Sequence, residues 1–176
     1  MGKREREAIK SVLDSHRKYT QQINGLNEAI RMLRLDIQTE RDIEGVGMNG
    51  DSGGSGGSGI SDPVSEAARV IIDRYEKNIR YYTQQIRGLN AGCLLVERLV
   101  GTLVGMDWQL AYYRYLKHMK WDEVEKKLNY ERAQVFRMHN KVLEELSITL
   151  ISDDQYDMIR PVYEAALEAG STMSCQ

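Results

Sequence analysis

Apolar residues recur at alternating steps of three and four positions along two long stretches of the chain, one on each side of a glycine-rich segment. This alternation is a heptad pattern, which predicts amphipathic helices that pack along one narrow stripe, as in a coiled coil. The first stripe runs over residues 9–37 and the second over residues 68–103. Asp62 followed by Pro63 predicts the start of the second helix, with Asp62 as its N-cap.

The segment between the stripes, residues 45–62, holds eight glycines and four serines in eighteen residues. Such a composition buries too little apolar surface to offset the entropy of ordering, so we expect a flexible connector. The composition fits an engineered linker as well as a natural one. With this connector, the two helices can fold back on each other as a long antiparallel hairpin.

The two predicted helices carry nearly the same nonapeptide, YTQQINGLN at residues 19–27 and YTQQIRGLN at residues 82–90. Both copies are equally far from the middle of the connector, so in a hairpin they meet side by side. We favour this packing interpretation over two copies of a ligand-binding motif. A two-helix seam leaves an apolar edge, which predicts a homo-oligomer, a dimer or tetramer. The apolar positions expected to hold it are Tyr19, Ile23, Leu26, Ile30, Tyr82, Ile86 and Leu89.

Three shorter helices are predicted after residue 105, at residues 108–117, 122–128 and 132–146, with Asp122 as the N-cap of the second. The last two fit a helix-turn-helix frame, in which Asn129 takes the left-handed turn position. Glu125 stands where two such helices usually touch through Ala, so its carboxylate must reach solvent or a cation such as Arg132. The frame predicts five core positions, Val124, Leu128, Tyr130, Val135 and Met138.

On this frame the second helix of the motif presents side chains that can read DNA. Arg132 and Arg137 can bind guanine, Gln134 and Asn140 suit adenine, and Phe136 can meet a thymine methyl group. Five lysines of this region are available for phosphate contacts: Lys117, Lys120, Lys126, Lys127 and Lys141.

The segment AYYRYLKHMKWDEVEKKLNYERAQVFRMHNKVLEEL resembles the sigma-70 region-four type of helix-turn-helix, and is similar to small phage transcriptional regulators of the RinA and ArpU kind. Its most distinctive matches are Arg137 with His139 and the VLEEL at residues 142–146. The resemblance implies a regulator that binds double-stranded phage promoter DNA in the bacterial cytoplasm, with host RNA polymerase as a further partner. Glu131 differs from the Ser or Thr that often caps the recognition helix in that family.

Charge leaves other interpretations open. Residues 106–147 hold eight Lys or Arg against seven Asp or Glu, and the whole chain has a net charge of −2. A nearly neutral domain also suits a three-helix cap of the coiled coil, or an adaptor that binds RNA polymerase. A phage small terminase-like packaging subunit likewise pairs a helix-turn-helix with a coiled coil, but forms rings.

Catalytic chemistry has no support in the sequence. The three histidines are far apart in the pattern, no His, Cys or Asp cluster has metal-ligand spacing, and no phosphate-binding loop or nucleophile motif occurs. We therefore expect no enzyme activity, no cofactor and no metal. No apolar run is long enough for a membrane span, and no signal peptide is recognisable, so no membrane partner is expected.

The sequence thus predicts an all-α protein, a long antiparallel helical hairpin followed by a C-terminal helix-turn-helix domain. The segments are a coiled-coil helix at 1–44, a linker at 45–61, a second coiled-coil helix at 62–104, the helix-turn-helix at 105–147, and a C-terminal helix and tail at 148–176. We expect the last helix to start at Asp153 or Asp154, to be interrupted by Pro161, and to end at Gly170.

Overall fold

The structure, a computed structural model, describes residues 2–47 and 63–172. Every regular element in these residues is helical and no strand occurs among them, so the all-α prediction is confirmed. The six α-helices are α1 (Lys3–Gly47), α2 (Pro63–Gly101), α3 (Gly105–Ala111), α4 (Trp121–Leu128), α5 (Arg132–Ser152) and α6 (Arg160–Thr172). A π-helix (Tyr112–Leu116) follows α3, and a 3₁₀ turn (Asp154–Tyr156) precedes α6.

The two heptad stretches both form single long helices. Helix α1 continues to Gly47, beyond the predicted end at residue 44, and α2 begins at Pro63 as predicted. Most of the predicted linker, residues 48–61, and the predicted N-cap Asp62 lie outside the described residues. None of the described helices combines the length and apolarity that crossing a bilayer requires.

The chain divides into two compact units, Met1–Gln22 with Gly88–Gln176, and Ile23–Arg87. The first unit contains the main hydrophobic cluster, formed by the start of α1, the end of α2, α5 and α6. Leu13, Leu99 and Leu146 are fully buried there. Tyr156, Ile159 and Tyr163 belong to the same cluster, so the C-terminal segment packs on the core.

Within the first unit, α1 and α2 run in opposite directions. His16 Nε2 lies 3.1 Å from Glu97 Oε1, and one turn further along α1 the Thr20 hydroxyl lies 3.9 Å from Cys93 Sγ. In the second unit, Arg41 and Glu76 form an ion pair at 3.7 Å between the same two helices. The apolar stripes thus face a neighbouring helix in each unit.

The residues predicted to hold an oligomer lie along these stripes. Ile30 is buried, whereas six are only half-buried: Tyr19, Ile23, Leu26, Tyr82, Ile86 and Leu89. Each therefore keeps apolar surface in the single chain, and the oligomer stays a prediction. The Tyr19 ring lies against Gly92, two residues beyond the second nonapeptide, so Tyr19 packs on a glycine of α2.

A second, smaller cluster lies under the short helices. Leu110 of α3, Val124 and Leu128 of α4, and Val135 of α5 are its buried members. Tyr130 and Met138 pack against them half-buried, which confirms the five predicted core positions with two of them at the margin.

Three local predictions need correction. The single helix expected at residues 108–117 is α3 continued by the π-helix. Asp122 is not the N-cap of α4, because α4 begins one residue earlier and Glu123 accepts a hydrogen bond from the Lys120 backbone N–H at 2.8 Å. Helix α5 extends beyond residue 146 to Ser152, since Leu150 is fully buried in the main cluster.

The C-terminal helix also differs from its prediction. Asp153 accepts from the Gln155 N–H at 3.0 Å and so starts only the short 3₁₀ turn. Pro161 is the second residue of α6, where its missing N–H leaves no helical hydrogen bond unmade. Helix α6 continues past Gly170 to Thr172.

Two glycines of α2 test the packing of Tyr19. A Cβ added at Gly88 meets nothing within 4 Å, but one added at Gly92 comes 2.8 Å from Tyr19 Cε2. We expect Gly88→Ala to raise the free energy of unfolding by about 0.5–1 kcal/mol through helix propensity. Gly92→Ala should show little or none of this stabilisation, because the Tyr19 ring has to shift to make room for the added Cβ. Urea unfolding of both variants measures the difference, and equal stabilisation of the two would contradict this packing.

Candidate nucleic-acid interface

The N-terminal half of α5 presents a polar row to solvent. Val135, His139 and Val142 are buried on one side of the helix. The exposed residues on the other side are Arg132, Ala133, Gln134, Arg137, Asn140 and Lys141. The helix therefore has the two-sided character that a groove-reading helix needs, with a packed face and a face rich in hydrogen-bonding groups.

The turn between α4 and α5 sets the start of this row. Asn129 ends α4 in the left-handed conformation, with φ 55° and ψ 42°, as predicted. Its backbone N–H and that of Tyr130 both bond to the Glu125 carbonyl oxygen, which closes the last turn of α4. Glu131 then takes the N-cap position of α5 in an extended conformation, without a side-chain capping bond.

Arg132, at the first position of α5, is held by carboxylates of α4. Its Nη1 lies 3.6 Å from Asp122 Oδ1, and its Nε lies 3.9 Å from Glu125 Oε1. The Glu125 side chain is only 20% exposed, and its Oε1 makes no hydrogen bond within the described residues. The predicted pairing of the Glu125 carboxylate with Arg132 is confirmed. The two groups form an ion pair, and the distance of 3.9 Å between them is longer than that of a hydrogen bond.

Lys141 is also paired, with a residue that sequence reasoning missed. Its ammonium donates to Asp107 Oδ2 of α3 at 2.8 Å. This hydrogen bond raises the pKa of Lys141 above its ordinary value. Asp107 is thirty-four residues away in the chain, so no local pattern in the sequence signals the contact.

Phe136 makes packing contacts that the sequence did not predict. The ring is half-buried and packs on Trp121 with 4.8 Å between ring centroids. The Arg132 guanidinium lies over the same ring, 5.7 Å from its centroid. Phe136 thus packs α5 against the start of α4, and the base contact assigned to it stays a prediction.

The remaining predicted residues are exposed. Gln134 and Asn140 point away from the core, and Arg137 makes only a long bond to the Ala133 carbonyl, at 3.4 Å. Within residues 2–47 and 63–172, Arg137 has no ion-pair partner. Besides Lys141, the structure also leaves the other predicted phosphate-binding lysines exposed, Lys117, Lys120, Lys126 and Lys127.

A buried hydrogen bond fixes α5 from its packed side. The Tyr115 hydroxyl lies 2.6 Å from His139 Nε2, and both residues are buried. Burial lowers the pKa of His139 to about 4 and raises the pKa of Tyr115. At neutral pH the imidazole is therefore neutral, and its tautomer sets which of the Tyr115 hydroxyl and the His139 Nε2 is the donor. In the sequence His139 is singled out only by the resemblance to phage regulators, and nothing there identifies Tyr115 as its partner.

No group of three or more His, Cys, Asp or Glu side chains in the described residues could hold a metal ion. The exposed row of α5 offers hydrogen-bond donors and acceptors, cations and their carboxylate partners.

No protein-family model, curated protein or solved structure matches this chain. The resemblance to phage regulators therefore stays a prediction from the motif alone.

The His139 environment predicts a pH dependence of stability. Between about pH 6.5 and about pH 4 the unfolded imidazole binds a proton that the folded one does not, so the free energy of unfolding falls as the pH falls. This lowering of the His139 pKa corresponds to a loss of about 3 kcal/mol in the free energy of unfolding across that pH range. Urea unfolding at intervals across this range measures it.

The matched control is His139→Gln, which keeps a hydrogen-bond acceptor for Tyr115 but does not titrate. Its stability should depend less on pH over the same range, although the carboxyl groups still contribute. Parallel pH curves for the two proteins would show that His139 is not the group responsible.

Proposed function

We propose that the protein is a sequence-specific DNA-binding transcriptional regulator, in which α4 and α5 act as a helix-turn-helix and the long helices oligomerise. The observation that carries the proposal is the exposed row on α5, which places Gln134, Arg137 and Asn140 together opposite a fully packed face. Guanidinium and amide groups on one exposed helix face can form hydrogen bonds with base edges in the major groove.

The chemistry of each side chain suggests its contact. Arg137 can bind the O6 and N7 atoms of guanine with two hydrogen bonds, and Gln134 or Asn140 can bind the N6 and N7 atoms of adenine. Lys120, Lys126 and Lys127, which are exposed on or just before α4, can supply phosphate contacts that position the helix but carry no sequence information.

The long helices supply the second half of the proposal. In each unit α1 faces α2, which supports an antiparallel hairpin. Its half-buried stripe residues can be covered by a second copy, giving a dimer or tetramer. Two-fold symmetry then places two recognition helices at a fixed spacing, about 34 Å for half-sites one DNA turn apart. Host RNA polymerase is a further proposed partner, on the strength of the region-four resemblance alone.

Direct binding tests the proposal. On a duplex selected from a random library, we expect Arg137→Ala to weaken binding roughly 10- to 100-fold, the size of one bidentate base contact. On random-sequence duplex the effect should be much smaller. Replacing Lys120, Lys126 and Lys127 with Ala should weaken binding to both duplexes and lower the salt slope by about 0.9 for each phosphate that the protein no longer neutralises. Fluorescence anisotropy with a salt titration measures both effects.

Arg69→Ala is the matched control, because Arg69 is an exposed arginine on α2. It should leave both affinities unchanged. If the native protein binds neither duplex at micromolar concentration and low salt, the adaptor interpretation replaces this one. Light scattering on the same sample separates the packaging alternative, since a ring of eight or more copies fits a terminase-like subunit and a dimer or tetramer fits the regulator.

The paired state of Lys141 gives a separate prediction. Asp107 occupies the ammonium that a phosphate would otherwise contact. We expect Asp107→Asn to tighten DNA binding and to steepen the salt slope by about 0.9, as one further phosphate contact becomes available. Anisotropy with the same duplexes measures this change.

Two further variants separate a specific effect from a general change of charge. Asp73→Asn removes an exposed carboxylate on α2 and should change binding little. In a Lys141→Ala background, Asp107→Asn should give no gain. An equal gain with and without Lys141 would mean that the ion pair does not compete with DNA.

A further inference from the structure

A column of three side chains stands on the surface of α3 and the π-helix. The rings of Trp108 and Tyr112 are stacked, with 4.9 Å between centroids and 18° between planes. The Lys117 ammonium lies over the other ring of this pair, 5.4 Å from the Tyr112 centroid. Trp108 is 38% exposed. We call these three residues the aromatic column.

The π-helix makes the column possible. Trp108 and Tyr112 are four residues apart and stack across one α-helical turn. Tyr112 and Lys117 are five residues apart, a spacing that an ordinary α-helix would place on different sides. In the π-helix the Lys117 backbone N–H bonds to the Tyr112 carbonyl at 2.9 Å, which brings Lys117 back over Tyr112. Such π-helical turns are rare and frequently lie at functional sites.

The column begins beside a residue that contacts the exposed row of α5. Asp107, the residue before Trp108, bonds to Lys141 in that row. Helix α3 is therefore joined to the C-terminal end of the row that we assign to DNA, and Trp108, the first ring of the column, is the next residue in the chain.

The column offers donors that the protein itself does not use. Among the described residues, neither the Trp108 indole N–H nor the Lys117 ammonium takes part in a hydrogen bond or an ion pair. The indole nitrogen only donates, and the ammonium carries three donors and a positive charge. Donors and a cation without acceptors complement an anionic, acceptor-rich ligand such as the sugar–phosphate backbone of DNA.

We propose that the aromatic column contacts the DNA backbone beside the segment that α5 reads, with Trp108 and Lys117 donating to phosphate oxygens. The inference rests on the proposed function and adds a second contact surface to it. Tyr112 positions both side chains, because its ring stacks on Trp108 and lies under the Lys117 ammonium.

Tryptophan fluorescence tests this contact. The chain has two tryptophans, and Trp121 is half-buried under Phe136, so Trp108 is the one that a ligand on the column can reach. Titration of the native protein with a random-sequence duplex should change its emission, and Trp108→Phe, which keeps the stack but removes the indole, should abolish most of that change. Lys117→Gln should weaken binding several-fold at low salt and lower the salt slope by about 0.9.

Lys77→Gln, at an exposed lysine of α2, is the matched control for charge and should have no effect. Circular dichroism checks that each variant is folded. The contact is wrong if anisotropy shows DNA binding while Trp108 emission and the Lys117→Gln salt slope stay unchanged, and the proposed function then still stands. Emission that responds to single-stranded but not duplex DNA would also overturn it, since it would indicate base stacking. Absence of any DNA binding in anisotropy would reject both proposals together.

Discussion

The hydrogen bond between Tyr115 and His139 joins the two hydrophobic clusters of the first unit, and the placement of the exposed row depends on it. Tyr115 belongs to the main cluster, and His139 packs edge-on against Trp121 at the smaller one, with 4.8 Å between ring centroids. A buried hydroxyl or imidazole without its partner costs about 1–3 kcal/mol. The rotation of α5 about its axis is therefore fixed at His139, and the residues facing outward follow from it.

Helix α5 serves two purposes because its burial changes along its length. Its C-terminal half contributes Leu143, Leu146 and Leu150 to the main cluster, and all three are fully buried there. Its N-terminal half buries less apolar surface, chiefly Val135 and the half-buried Phe136 and Met138, and is held in addition by the Tyr115–His139 hydrogen bond. A helix anchored in this way can present its first turns to a ligand without losing its own stability, since most of the buried apolar area lies elsewhere.

The helices and the turn at Asn129 follow from the sequence because they depend on local preferences: heptad spacing, the helix start at Pro63 and the left-handed tolerance of Asn. The sequence also predicts the exposed row of α5. The helix-turn-helix frame buries Val124, Leu128 and Val135, and so determines which side of α5 faces outward. It does not show which cations are already paired. The contact of Lys141 with Asp107 joins positions far apart in the chain, and the π-helix depends on packing that no short window of sequence records.

These pairs bear on how a nearly neutral domain could bind DNA at all. Arg132 and Lys141 are already paired with carboxylates. A phosphate that binds either side chain would replace one ion pair with another, so the net electrostatic gain would be small. Non-specific attraction would then depend on Lys117, Lys120, Lys126 and Lys127, a small number of phosphate contacts with a shallow salt dependence. A larger share of the affinity would come from base contacts, which favours discrimination between sequences over tight binding to all of them.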